Sequence, residues 1–222
     1  MSKIGDFLDF RKFATSNGVN GMVLDDQMRK GALTPYILEE RTLNVTQMDV
    51  FSRLMYDRII YFSGTVDELS CNTVIAQLLY LSSVDNRDIS MYINSGGGSI
   101  IDGLGVIDTM NYLKCDIATT CVGMCASMGA VLLSNGTKEK RYILPHGRVM
   151  IHSAASHHYG HTADLRIEMQ QTERCQSDIY KILAKNMEKS VEEVNALCDR
   201  DNWFIGAEAL ELGIVDKVLE AD

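Results

Sequence analysis

The chain has 222 residues, enough for one sizeable domain and too few for two comfortable ones. Hydrophobic residues make up 46% and charged residues 23%, the balance of a globular domain with a substantial core rather than of a disordered chain. The net charge of -9 and the lack of a Lys/Arg cluster argue against nucleic acid as a primary partner, because phosphate binding needs concentrated positive charge.

Residues 1–31 are dotted with Gly, Asn and Asp, with a weak apolar spacing at Ile4, Phe7 and Leu8. They read as a loosely attached arm. From about Asp49, strand and helix patterns alternate. Arg58–Phe62 reads as a buried strand, followed by a helix with Val74, Ile75, Leu78 and Leu79 that breaks at Asp85-Asn86. A second strand, Ile89–Asn94, ends in Gly96-Gly97-Gly98, and the next helix carries Leu104, Ile107, Met110 and Leu113. A third strand, Ile117–Val122, runs into Gly123 and an apolar helix through Leu133. Strands Arg141–Leu144 and Arg148–Ile151 follow. The strand starts near 58, 89 and 117 recur at the length of a βαβ unit, and such crossovers are right-handed. The expected fold class is therefore α/β, a right-handed spiral of βαβ units. A long charged helix over about 163–189, with Ile179, Ile182, Leu183 and Met187 on one face, must pack against something, and a second subunit is the economical candidate. A short helix ending at Gly213 and a strand near Ile214–Leu219 close the chain.

The cysteines at 71, 115, 121, 125, 175 and 198 form no C-x-x-C pair and mostly sit in apolar runs. That usage suits reduced core thiols in the cytoplasm. No apolar run approaches the roughly 18 residues of a membrane span, and the first 30 residues lack the apolar core of a secretory signal. The expectation is a soluble, cytoplasmic protein with no membrane partner.

Three features carry candidate chemistry. Ser127, in Cys125-Ala126-Ser127-Met128-Gly129, lies where a buried strand turns into a helix. There it serves either as a plain N-cap or as an exposed nucleophile, and it half-matches the G-x-S-x-G elbow with Cys125 in place of the first glycine. The loop Asn94–Ser99 lacks the lysine and spacing of a phosphate loop. It is either a tight turn or a place where backbone N–H groups meet a substrate carbonyl. His152 ends an apolar strand, a position open to a satisfied polar residue or a general base. His157, His158 and His161 read as solvated loop histidines, since neither Cys nor carboxylate completes a zinc set. No metal and no cofactor is expected.

Taken together, these segments resemble the Clp protease proteolytic subunit (ClpP) family from about Ala32 to Leu219. The resemblance rests on Tyr92-Ile93-Asn94-Ser95, the glycine loop, Gly123–Ala130, Arg148–His152, Asp199-Arg200-Asp201, Glu208-Ala209 and Gly213–Asp216. It implies a serine endopeptidase with Ser127 as nucleophile, His152 as general base and Asp201 as the orienting acid. The backbone N–H groups of Gly98 and Met128 match the oxyanion hole. Two stacked heptameric rings are implied, with the long helix as inter-ring handle and Asp199 and Arg200 as oligomer contacts. A hexameric AAA+ unfoldase would feed in unfolded proteins, docking on a pocket that includes Tyr92, Tyr112, Tyr142 and Leu219. The resemblance further implies that residues 1–31 are a removable prosegment and 32–222 one peptidase domain with an axial segment over 32–48. The chain departs from the family pattern at Gly96, where proline is usual, and at Ser153–His157, where Gln-Pro and a Gly-Gly pair are usual. It departs again at Arg41–Met48, which lacks an Arg-Gly-rich character. A catalytically silent ring subunit and a crotonase-like acyl-CoA enzyme, which shares the spiral and a two-amide oxyanion hole, are the competing readings.

Overall fold

The computed structural model of the chain describes residues 36–41, 44–156 and 159–220. The arm expected over 1–31 lies outside the described residues, as do His157 and His158. By internal contacts the chain divides into two units, one up to Arg53 and one from Leu54 onward. In the first, β1 (Tyr36–Arg41) and β2 (Asn44–Asp49) pair antiparallel, from Tyr36 against Asp49 to Arg41 against Asn44. The segment expected to be axial thus contains this strand pair. Asp49 opens helix α1 (Val50–Tyr56), its carboxylate accepting from the N–H groups of Phe51 and Ser52.

The second unit carries the alternation expected from the sequence. In order come β3 (Ile59–Val66), α2 (Glu68–Val84), β4 (Ile89–Gly98), α3 (Ile100–Tyr112), β5 (Ile117–Ala126) and α4 (Met128–Ser134). They are followed by β6 (Arg141–Ile143), β7 (Arg148–Ile151), α5 (Thr162–Met187), α6 (Val191–Leu197), β8 (Asn202–Ile205), α7 (Gly206–Glu211) and β9 (Lys217–Val218). Strands β3, β4, β5 and β6 lie side by side in chain order, all parallel, with β9 beyond β6. Each new strand is laid on the same edge of the growing sheet, the order that a continuous coil of βαβ units produces. The α/β fold class expected from the sequence is the one found.

Local chemistry sets the element ends. Asp67 caps α2 through the Ser70 N–H while the Ser70 hydroxyl returns to the Asp67 N–H, a reciprocal box. At the other end of α2 the buried Arg58 guanidinium donates to the carbonyls of Leu81, in the last helical turn, and of Arg87 and Asp88 beyond it, tying the following loop to the helix end. Along β4, Ile89, Met91, Ile93 and Ser95 alternate inward and are almost fully buried. A second buried cation, Arg141, is held by both carboxylate oxygens of Asp216 and by the carbonyls of Ser134 and Asn186. It ties β6 and the end of α5 to the chain just before β9. Helix α5 is exposed along its first half, whereas Ile179, Tyr180, Leu183 and Met187 are buried in its second. All six cysteines are free and buried. Among the described residues no helix is long and apolar enough to cross a membrane.

Two differences from the sequence-based expectation matter for the site. The strands expected to stop at Phe62, Asn94 and Val122 continue to Val66, Gly98 and Ala126. The glycine run is therefore the end of β4 rather than a separate loop, because local bulges keep it in the ladder despite its unusual dihedrals. The sequence reading also lacked α6 and β8. The capping box Ser190-x-x-Glu193 and the alternation in Asn202–Ile205 were the available signals.

Candidate active site

Ser127 sits between β5 and α4 with φ 53° and ψ -124°, in a region that side-chain-bearing residues rarely occupy. The surrounding bonds hold it there. Its N–H donates to the Met150 carbonyl at 2.8 Å, and its own carbonyl accepts from the N–H of Ala130 at 2.9 Å. Its hydroxyl makes no capping bond to the helix. The N-cap alternative therefore fails on geometry: the side chain points elsewhere.

Its target is His152, whose Nε2 lies 2.9 Å from Ser127 Oγ. The other ring nitrogen, Nδ1, lies 3.1 Å from Oδ1 of Asp201. A carboxylate only accepts, so Nδ1 carries the proton and donates to Asp201, leaving Nε2 to accept from the serine hydroxyl. The sheet explains why three distant residues meet. Ala126 of β5 is paired with Met150 of β7, placing Ser127 beside the end of β7. Ile151 of β7 is paired with Asn202 of β8 in an antiparallel ladder. The next residue after Ile151 is His152 and the one before Asn202 is Asp201, so both leave the ladder at the same end. Without β8 in view, sequence reasoning had no route to that juxtaposition except resemblance.

Cys125 is the other nucleophile-bearing side chain near this turn. Burial, together with the neighbouring Cys121, pushes its thiol well above the usual cysteine range, and it has no exposure. An inert buried thiol leaves the Ser127 hydroxyl as the candidate nucleophile.

Gly97 and Gly98 bring β4 up against the serine. A Cβ on Gly97 would stand 2.6 Å from Ser127 Cβ, and one on Gly98 would stand 2.2 Å from the Val66 carbonyl oxygen. Only glycine allows this approach. Gly98 and Met128 both line the cavity that opens at Ser127 Oγ, about 190 Å³ in volume. As first residue of α4, Met128 has an N–H with no place in the helix ladder. Ile100, Val131, Ile151, Ile179 and Leu183 supply apolar walls, and Ser153–Ala155 runs along one side.

The remaining expected residues lie apart from this centre. Asp199 and Arg200 are 82% and 92% exposed, touching each other only loosely at 3.9 Å. Tyr92 and Tyr142 stand in one row across the sheet, through Thr120, and Leu219 donates its N–H to the Ile143 carbonyl beside that row. Tyr112 ends α3 and is 81% exposed. Tyr61, paired with Tyr92 in the same row, was not singled out from the sequence.

A hydroxyl, an imidazole and a carboxylate in hydrogen-bonded series, beside a cavity lined by Gly98 and Met128, is the arrangement of a serine hydrolase. The family model for Clp protease matches residues 42–222. The chain is 52% identical to the ATP-dependent Clp protease proteolytic subunit of Bacteroides thetaiotaomicron over 215 residues, 95% of this chain and 98% of the relative. It is 49% identical to the subunit of the same name from Porphyromonas gingivalis over 216 residues, 96% of this chain and 97% of the relative. This chain belongs to the Clp protease family, and its chemistry is peptide-bond hydrolysis.

Proposed function

We propose that the chain is the serine endopeptidase subunit of a self-compartmentalised, ATP-dependent protease. The observation that carries this is the unbroken series from Ser127 Oγ through the His152 ring to Asp201. His152 takes the hydroxyl proton as Ser127 attacks the peptide carbonyl, then delivers it to the leaving amine. Asp201 fixes the tautomer and stabilises the imidazolium without itself taking the proton. The N–H groups of Gly98 and Met128 meet the developing oxyanion, a contribution of about 3–4 kcal/mol per donor. The substrate pairs along Ser153–Ala155 as an added strand and sets an apolar side chain into the adjoining cavity.

The relatives are named as proteolytic subunits of an ATP-dependent protease. This sequence has no Gly-Lys-Ser/Thr phosphate loop, so ATP use falls to a partner, in this reading a hexameric AAA+ unfoldase that docks near Tyr92, Tyr112, Tyr142 and Leu219. Two stacked heptameric rings enclose the sites, with α5 as handle. In support, the Asp201 side chain is 65% exposed in the single chain, where water screens its hold on His152. A neighbouring ring, reached through Asp199 and Arg200, would cover that edge. Residues 1–31 form a prosegment removed on assembly. A fluorophosphonate probe tests the chemistry: it should label the wild-type chain on Ser127, and Ser127→Ala should lose both labelling and peptide hydrolysis with its assembly unchanged. Hydrolysis by Ser127→Ala at a tenth of the normal rate or more would refute the assignment.

A further inference from the structure

Helix α5 contributes one wall of the active-site cavity through Gln176, Ile179, Tyr180 and Leu183. These positions stand at i, i+3, i+4 and i+7, a single helical face. Three of them are buried, whereas Gln176 is half-buried, at the end of the wall where α5 becomes exposed. Its side-chain oxygen accepts the N–H of Ala154 at 2.9 Å. Among the described residues this is the sole hydrogen bond made by the backbone of Ser153–Ser156, the segment that follows His152 and belongs to no strand. Because an N–H must meet an acceptor, the bond also fixes the orientation of the amide. The Nε2 group is left as a neutral donor, with no partner among the described residues.

We infer that Gln176 positions the substrate-pairing segment and sets the charge selectivity of the cavity. This rests on the peptidase reading given above. The positioning follows from the single tether. A backbone segment that must present its edge to an incoming strand loses affinity if it can swing, since the ordering cost then falls on binding. Removing the acceptor also leaves the Ala154 N–H without its partner. The selectivity follows from the lining. Besides His152, the side chains around the cavity are apolar or neutral, and Gln176 and Tyr180 are the polar members on the α5 wall. A neutral amide there admits uncharged side chains and gives a cationic one no counter-charge. A carboxylate of the same length keeps the bond to Ala154 while adding that counter-charge, as an acidic group at the base of a specificity pocket does in other serine proteases.

The two roles separate by substitution in the full-length assembled protein, with peptides bearing Leu or Lys before the scissile bond. Gln176→Leu, which fills the space without an acceptor, should raise KM for the Leu peptide about tenfold while kcat falls less than threefold. Gln176→Glu should restore that KM to within about threefold of wild type and raise the Lys-to-Leu ratio of kcat/KM by tenfold or more. Thermal unfolding of each variant separates local from global effects, and the Glu variant carries the test if the Leu variant folds poorly. A Gln176→Leu KM within twofold of wild type would overturn the positioning role. An unchanged Lys-to-Leu ratio in Gln176→Glu would overturn the selectivity role. Failure of these effects in the variants, while the wild-type protein still reacts with fluorophosphonate, would sink the inference alone, whereas a wild-type protein that does not react would sink the peptidase reading with it.

Discussion

Gly97→Ala and Gly96→Ala, adjacent substitutions of identical chemistry, should behave in opposite ways. At Gly97 the added methyl would meet Ser127 Cβ at 2.6 Å, the Ala126 carbonyl oxygen at 2.7 Å and the Met128 nitrogen at 3.0 Å. Carbon atoms settle at about 3.5–4.0 Å, so Ser127 or β4 must retreat by roughly 1 Å. Two of the three neighbours are backbone atoms and cannot rotate away. The φ of +90° adds a strain of about 1–2 kcal/mol for any side chain. If Ser127 is the nucleophile proposed above, a displacement of that size costs on the order of 100-fold in rate. The strain by itself should lower Tm by roughly 2–8 °C for a chain of this length. At Gly96 the methyl would meet only Met124 Cε at 3.5 Å, an ordinary contact with the tip of a flexible side chain. Its kcat/KM should stay within about threefold. Peptide hydrolysis measured beside thermal unfolding decides the matter. Gly97→Ala with kcat/KM within threefold of wild type would refute the close-approach argument, and so would an equal collapse of both variants.

Two further outcomes test the assembly and the arm. Arg200→Ala should shift the protein toward single rings by light scattering and lower hydrolysis in parallel, because its side chain is 92% exposed and its loose contact with Asp199 contributes little within one chain. Unchanged fourteen-subunit particles lacking activity would separate the two effects and refute the coupling. Intact-mass measurement should show cleavage near Gly31–Ala32 in the wild-type protein and the full chain in Ser127→Ala, the sign of processing by the chain's own sites. Equal trimming of both would assign the cut to another protease.

The periodic part of the fold was legible in the sequence because it is written in side chains. The alternation of Ile89, Met91 and Ile93 and the helical spacing of Ile179, Leu183 and Met187 report which faces are buried, and they are buried. What hid was written in backbone geometry. Nothing in Gly96-Gly97-Gly98 distinguishes a turn from a bulged strand end, since glycine permits both. Nor does Ser127 advertise its positive φ, which neighbouring bonds impose. The partnership of His152 with Asp201 depends on the short antiparallel strand β8, whose four residues fall below what alternation can establish alone. The resemblance named all three residues without explaining why they meet. Gln176 carried no signal: a polar residue at that spacing on a charged helix reads as solvated, and only its bond to Ala154 gives it a role.

The same bulges that obscured the strand ends account for the site. From Ser63 to Thr65, β3 advances two residues while β4 advances three, from Asn94 to Gly97. From Ile93 to Ser95, β4 advances two while β5 advances four, from Cys121 to Cys125. Extra residues thus accumulate at the carboxyl ends of successive strands, where bulges bend a strand and increase its twist. A flat parallel sheet would hold Gly98 and Ser127 on separate strands about 4.8 Å apart, each amide committed to its neighbour. Bending instead folds the end of β4 over the junction of β5 with α4, so Gly97 touches Ser127 while Gly98 and Met128 face one cavity. The strain of roughly 1–3 kcal/mol at Ser127 is the local cost of that crossing. It persists because the Met150 carbonyl, the Ala130 amide and the β5–β7 ladder hold the serine from three sides. Relaxing any one of them would lower the strain and move Oγ away from His152. On this argument the site's geometry resides in the sheet's irregular register as much as in the identities of its three polar residues.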